Sequence, residues 1–214
     1  VPFNPFRRKP VEAASPAVPG SPPPPGRPVA FEGLTEEWRL VGTMHLEGRL
    51  SDALNRREPI AISAMTWGPA DGSAPLEPVA GLRSVDPYDL ILVMAGPDSL
   101  PVLTDAEKVA FKVHKVPFDV GLEVPPFRVV GTVYLYPGTD PSRLMDRSTE
   151  MFVAVSDAQA FLGERQLDAE AHETILVNRF YLRGVAQIDR RTMSPVQPLP
   201  GMPLGGTSWQ DRSR

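Results

Sequence analysis

The 214-residue chain contains no cysteine. That excludes disulfides, thiolate nucleophiles and thiolate-ligated zinc or iron–sulfur centres, and it fits a reducing compartment. Histidine is scarce too: His45, His114 and His172 are the whole set, and none stands at H-x-x-x-H spacing. A two-histidine metal site would have to converge from distant segments. An excess of positive charge is missing, because the formal net charge is −4. That leaves no general field for nucleic acid, and "RREP" at 56–59 and "DRR" at 189–191 read as solvated basic spots. No apolar run approaches the roughly 20 residues that span a bilayer, and the longest, Leu90–Gly96, reads as a buried strand. A hydrophobic signal region is absent, so Val1 is expected to follow either a lost initiator methionine or a processing cut. Phosphate loops are absent: "GMPLGG" at 201–206 lacks the Lys-Ser/Thr pair and reads as a flexible turn. No G-x-S-x-G elbow and no C-x-x-C-H motif occurs.

Proline, by contrast, is abundant at 26 residues, about twice the usual ~5 %. Ten prolines lie between Pro2 and Pro28 and four between Pro195 and Pro203. Proline fixes φ and removes a backbone donor, so both ends are expected to be extended tails. The organisation expected is a Pro-rich anchoring tail at 1–31, a first β unit at 32–103, a linker strand with a second β unit at 104–191, and an extended tail at 192–214. Phe3 and Phe6 beside Arg7, Arg8 and Lys9 suit a protein groove or an anionic membrane surface. Trp209 and its apolar neighbours suggest that the second tail docks as well.

Between the tails the chain repeats itself. "RLVGTMHL" at 39–46 matches "RVVGTVYL" at 128–135. After a five-residue insertion, Arg49, Leu50 and Asp52 match Arg143, Leu144 and Asp146, and "IAIS" at 60–63 matches "VAVS" at 153–156. "DLILV" at 89–93 is matched with "ETILV" at 173–177. Each unit reads strand, short helix, strand, long loop, strand, with helices expected at Leu50–Arg57 and Arg143–Thr149. "KVAFKVHKVPFDVGLEV" alternates, placing Val109, Phe111 and Val113 opposite Lys108, Lys112 and His114, with Pro117 marking an edge or a bulge. Gly42 and Gly131 sit inside strands, where glycine implies a bend or a close approach. The expected fold is mainly β with short helices: two pseudo-symmetric, small barrel-like or curled-sheet units, or one continuous sheet made by both.

The pattern G-T-x-H-L-x-G-R-L-S-D-x-L-N, followed by an I-x-I-S-x-A strand, resembles bacterial tandem-repeat domains of unknown function. The first copy keeps His45, Arg49, Ser51, Asp52, Leu54 and Asn55 but has Ala64 where that family usually has Asp. The second keeps Ser156, Asp157 and Ala158, with Tyr134 for the histidine and Thr149 for the asparagine. The resemblance covers about half of the chain and implies no activity, catalytic residue or cofactor.

His45, Ser51 and Asp52 invite a Ser-His-Asp reading. The second copy has Tyr134 for His45 and Met145 for Ser51, so a rim ring and a helix start capped by Ser51 or Asp52 explain these residues better. Arg49 and Arg143 are expected to pair with those acids or with the other unit. No catalytic, cofactor-binding or metal site is expected. The expectation is a non-enzymatic structural subunit, peripheral on the cytoplasmic side of a photosynthetic or respiratory membrane complex. It would bind other protein subunits and the membrane surface, but no nucleic acid and no small-molecule substrate. A ligand-sensing or adaptor module with a lid at Gly68–Pro87 is the alternative, and a hydrolase using His45 with Asp52 is the third reading.

Overall fold

The fold is that of a computed structural model, which describes residues 26–99, 115–147, 150–192 and 194–196. The first half begins with a hairpin of β1 (Arg27–Leu34) and β2 (Trp38–Leu46). A one-turn helix α1 (Leu50–Asn55) follows, then β3 (Ile60–Ala61), β4 (Ser63–Pro69), β5 (Glu77–Pro78), β6 (Ser84–Val85) and β7 (Leu92–Ala95). The second half begins with a hairpin of β8 (Val116–Val124) and β9 (Phe127–Leu135), turning on the cis Pro125–Pro126 bond. A 3-10 turn at Pro141–Met145 leads to β10 (Phe152–Leu162), β11 (Arg165–Gln166), β12 (His172–Asn178), β13 (Gly184–Asp189) and β14 (Ser194–Pro195).

One antiparallel sheet runs through both halves in the order β14-β13-β8-β9-β10-β12-β7-β1-β2-β4-β5, with β11 beside β10 and β3–β6 forming a separate small pair. The sheet does not close into a barrel; of the two architectures the sequence allows, the continuous sheet is the one observed. The middle strands explain how one sheet serves two cores. On β7, Leu92 and Met94 face the second-half core, while Val93 and Ala95 face the first-half core. On β12, Ile175 and Val177 face the second-half core and Leu176 the first. A strand buried on both faces needs an unbroken apolar run rather than alternation, which is what "LILVMA" and "TILV" are.

This corrects the match of "DLILV" with "ETILV". β7 pairs with β1, whereas β12 pairs with β10, and the two strands are neighbours in register Ile175↔Met94 and Leu176↔Val93. They look alike because each meets the same two-sided burial at the seam. The strand that flanks β8 as β7 flanks β1 is β13.

The V-G-T segments both lie in strands, β2 and β9. A Cβ on Gly42 would stand 2.5 Å from Ile62 Cγ2 and 2.9 Å from the Ser63 carbonyl oxygen. On Gly131 it would stand 2.7 Å from Val155 Cγ1 and 2.8 Å from the Ser156 carbonyl oxygen. Each glycine therefore lets the next strand cross close over it. Immediately beyond, the neighbouring strand breaks register, with Ala64 (φ 50°) in β4 and Asp157 (φ 47°) in β10 in the left-handed region. Asp and Ala at this bulge correspond to the position where the sequence pattern expects Asp.

Three boundaries differ from expectation. β1 starts at Arg27, inside the expected tail, and tolerates Pro28 because β7 pairs only with Glu32–Leu34, leaving that side of Pro28 unpaired. The second expected helix is the 3-10 turn Pro141–Met145, initiated by Asp140, whose carboxylate accepts the Ser142 N–H at 2.7 Å. α1 has Arg49 at its N-cap with no side-chain bond, so neither Ser51 nor Asp52 caps it; Asp52 lies in the first turn instead. Residues 107–114 of the expected linker strand lie outside the described residues; β8 matches its remainder.

Candidate functional site

The two halves are fastened by amides and charges rather than by their cores alone. Asn178, fully buried at the end of β12, donates to the Leu90 carbonyl at 2.7 Å and accepts from the Phe180 N–H at 3.0 Å. Asn55, at the end of α1, accepts from the Phe152 N–H at 2.8 Å and donates to the Phe152 carbonyl at 3.5 Å. Its carboxamide thus takes the place of a strand peptide along the free side of β10.

Opposite this, the β11–β12 loop reaches back to the first hairpin. Arg39 Nη2 lies 2.7 Å from Glu32 Oε1, close in distance though off hydrogen-bond geometry, and bonds Asp168 at 3.4 Å. Asp168 also meets His172 Nε2 at 3.0 Å. Burial, reinforced by Asp168, pushes the Glu32 carboxyl above its ordinary value despite Arg39. Arg165 donates to the Asp71 carbonyl nearby.

Between α1 and the second half lies a cleft of about 600 Å³. Arg49, Ser51, Asp52 and Asn55 come to it from the first half; Lys115, Tyr134, Tyr136, Arg143 and Arg179 come from the second. The cleft opens because β9 and β10 part beyond the Thr132↔Ser156 pair, and Arg143 and Leu144 of the 3-10 turn line it. Tyr134 is 49 % and Tyr136 60 % exposed, and Lys115 Nζ sits 5.4 Å from the Tyr136 ring centroid, in cation–π range. Met145, on the same turn, is exposed as well. Arg179 donates to the Asp146 carbonyl at 3.0 Å, and burial lowers its pKa while Glu150 and Asp146 oppose that shift. Among the described residues no carboxylate lies within 4.0 Å of Arg49, Arg143 or Lys115, so the expected pairing of the two arginines with Asp52 or Asp146 is not made.

His45 does not share this cleft. It lines a separate cavity of about 510 Å³ between β2 and β3, with Met44, Ala53, Ile60 and Ile62. Ser51 and Asp52 face one cavity and His45 the other, so the residues of the tempting triad are not brought together. Among the described residues no group of three His, Asp or Glu is arranged to hold a metal, and no helix is long and apolar enough to cross a membrane. Phe3, Phe6, Arg7, Arg8, Lys9 and Trp209 lie outside the described residues.

The sequence repeat singled out Arg49, Asp52, Arg143 and Asp146, which the fold gathers at one cleft. It missed Tyr136, Lys115 and Arg179. A visible sign was "VYLYPG", where aromatic residues alternate past the end of an otherwise buried strand. No family model matches the chain, and no curated protein or solved structure does.

Proposed function

We propose that the chain is a non-enzymatic accessory subunit of a larger assembly, binding its neighbours through the cleft between α1 and β9–β10. The supporting observation is the rim of that cleft. Exposed Tyr134 and Tyr136 line it together with Arg49 and Arg143, which have no acidic partner among the described residues, and exposed Met145 stands on the adjoining 3-10 turn. Tyr, Met and Arg are the residue types enriched where proteins meet, and Tyr and Arg supply most of the strong anchors. The body behind the rim is one sheet with two cores, a rigid mount for such a surface. On this proposal the body is two copies of one unit, each a hairpin, a helical turn and a return strand crossing over a glycine.

The proposal extends to location. Phe3, Phe6, Arg7, Arg8 and Lys9, with Trp209 at the other end, have the composition of arms that lie on neighbouring subunits or on an anionic lipid surface. We assign the chain to the cytoplasmic face of a photosynthetic or respiratory membrane complex on that composition. Native mass spectrometry of the chain purified gently from its source cells tests the proposal: stoichiometric co-purification with other subunits is expected. Deleting residues 1–25, ahead of β1, should leave the fold intact and lower occupancy in the assembly. A wild-type chain that isolates alone overturns the reading.

A second reading, a ligand-sensing or adaptor module, is favoured by the fact that residues from both halves line the cleft. A small molecule retained at one-to-one stoichiometry in the same native spectra, with no protein partner, selects it.

A further inference from the structure

Where β9 and β10 part, each strand has, among the described residues, a strand neighbour on its outer side only. β9 is paired with β8, where Pro117 stands opposite Tyr134, and β10 is paired with β12, where Leu176 stands opposite Ala154. In an antiparallel ladder, successive residues turn their N–H and C=O alternately to one side and the other. Two observations fix the phase here. Proline has no N–H to give, so the Pro117–Tyr134 pair is of the kind that makes no ladder bonds, and the peptide groups of Tyr134 turn toward the cleft. On β10, Phe152 sends its N–H to Asn55 rather than to β12, and Ala154, two residues on, faces the same way. The fork therefore offers a peptide edge from each arm, with the Asn55 carboxamide already seated at its mouth.

The first half carries the same fork. Thr43 pairs with Ser63, and beyond that pair Pro28 stands opposite His45. Ile62 gives its N–H to the Arg83 carbonyl at 2.9 Å, so the peptide groups of Ala61 turn the other way, toward His45 and the cavity between β2 and β3. Pro28 and Pro117, Ala61 and Ala154 hold matching places in the two forks.

We infer that the β9–β10 fork receives an extended, acidic segment of a partner protein as an added strand. The backbone edges supply sequence-tolerant hydrogen bonds, the usual basis of strand addition. The charge preference comes from Arg49, Lys115 and Arg143, three cations on the walls with no carboxylate partner among the described residues; they outnumber Asp52, the wall carboxylate that stands apart from Arg179, whereas Asp146 and Glu150 lie beside that arginine. The first fork lacks such a trio: Arg56 and Glu58 line it together. This inference deepens the reading of the chain as a binding subunit by naming what the cleft takes.

The test uses a short, end-blocked synthetic peptide alternating valine and glutamate, titrated into the full chain and followed by backbone NMR. Saturable shifts and slowed hydrogen exchange are expected at the Tyr134 and Ala154 amides. Methylating alternate peptide nitrogens, or replacing glutamate by lysine, should weaken binding at least tenfold. Arg49→Glu with Arg143→Glu should do the same at unchanged melting temperature. No saturable change at those amides, or equal binding by the methylated peptide, overturns strand addition; equal binding by the lysine peptide overturns the acidic preference. A chain that assembles with neighbours but ignores the peptide keeps the accessory-subunit reading and loses this one; binding of the peptide by a chain that isolates alone does the reverse.

Discussion

Asn178 is the buried polar side chain on which the junction of the halves turns. Its amide serves the Leu90 carbonyl and the Phe180 N–H, and the Asn178 side chain is itself fully buried. Leaving a buried donor or acceptor unpaired costs about 1–3 kcal/mol, so Asn178→Ala should lose about 2–4 kcal/mol in urea denaturation. Asn178→Asp should not restore it, because the carboxylate cannot donate to Leu90. Gly131 makes a different demand: a methyl there meets the Ser156 carbonyl at 2.8 Å and the Ala158 Cα at 3.0 Å, both backbone. Gly131→Ala should cost about 1–3 kcal/mol, the ordinary range for overpacking a tight site. Glu32 has a pH signature. Burial raises its folded-state pKa, so between the ordinary carboxylate value and the raised one the folded chain holds a proton that the unfolded chain has released. The stability tied to that proton is full below the ordinary value and is lost as pH rises through the raised one. Glu32→Gln keeps the neutral form throughout, so its melting temperature should gain on the wild type as pH goes from about 4 to about 7. A constant difference over that range would show that Glu32 titrates normally.

At the scale of elements, the sequence was most legible where one face is wet. β8 buries Phe118, Val120, Leu122 and Val124 in strict alternation, whereas β2 and β9 were found from the V-G-T repeat and their mid-strand glycines, β9 being buried on both faces from Val129 to Val133. It misled where burial is two-sided. β7 and β12 share a composition because they share a setting at the seam, and a run buried on both faces carries no phase from which a partner could be read. The helical turn after β9 was legible as a turn but not as 3-10, since Asp140-Pro141 starts it two residues before the matched Arg143. The cleft was legible only in part. The repeated Arg and Asp marked it, but Lys115 and Tyr136 flank a hairpin whose pairing no local pattern announces. Asn55 looked like a family signature without a role, and its bond to Phe152, 97 residues away, is a tertiary fact. Asn55→Ala should free the start of β10, speeding hydrogen exchange at the Phe152 amide by about tenfold, the equivalent of the ~1–1.5 kcal/mol that such a bond contributes.

As a whole molecule, the chain is expected to unfold as one. Ile175 and Leu176 are neighbours on β12, yet they point into different cores. Ile175→Ala and Leu176→Ala should each cost about 2–5 kcal/mol and lower the same single transition in calorimetry. Two separable transitions would mean that the halves fold independently and that the seam is a contact rather than a shared element. On the proposed function the sheet is the mount and the cleft the working face, a division that hydrogen–deuterium exchange tests most directly by comparing the isolated chain with the chain in its native assembly. Slowed exchange is predicted over residues 133–136 and 152–155, with the β2–β3 cavity as a second candidate for protection among the described residues. Unchanged exchange at both forks, with protection confined to β13 and β14 or to the outer face of β4, would contradict the account.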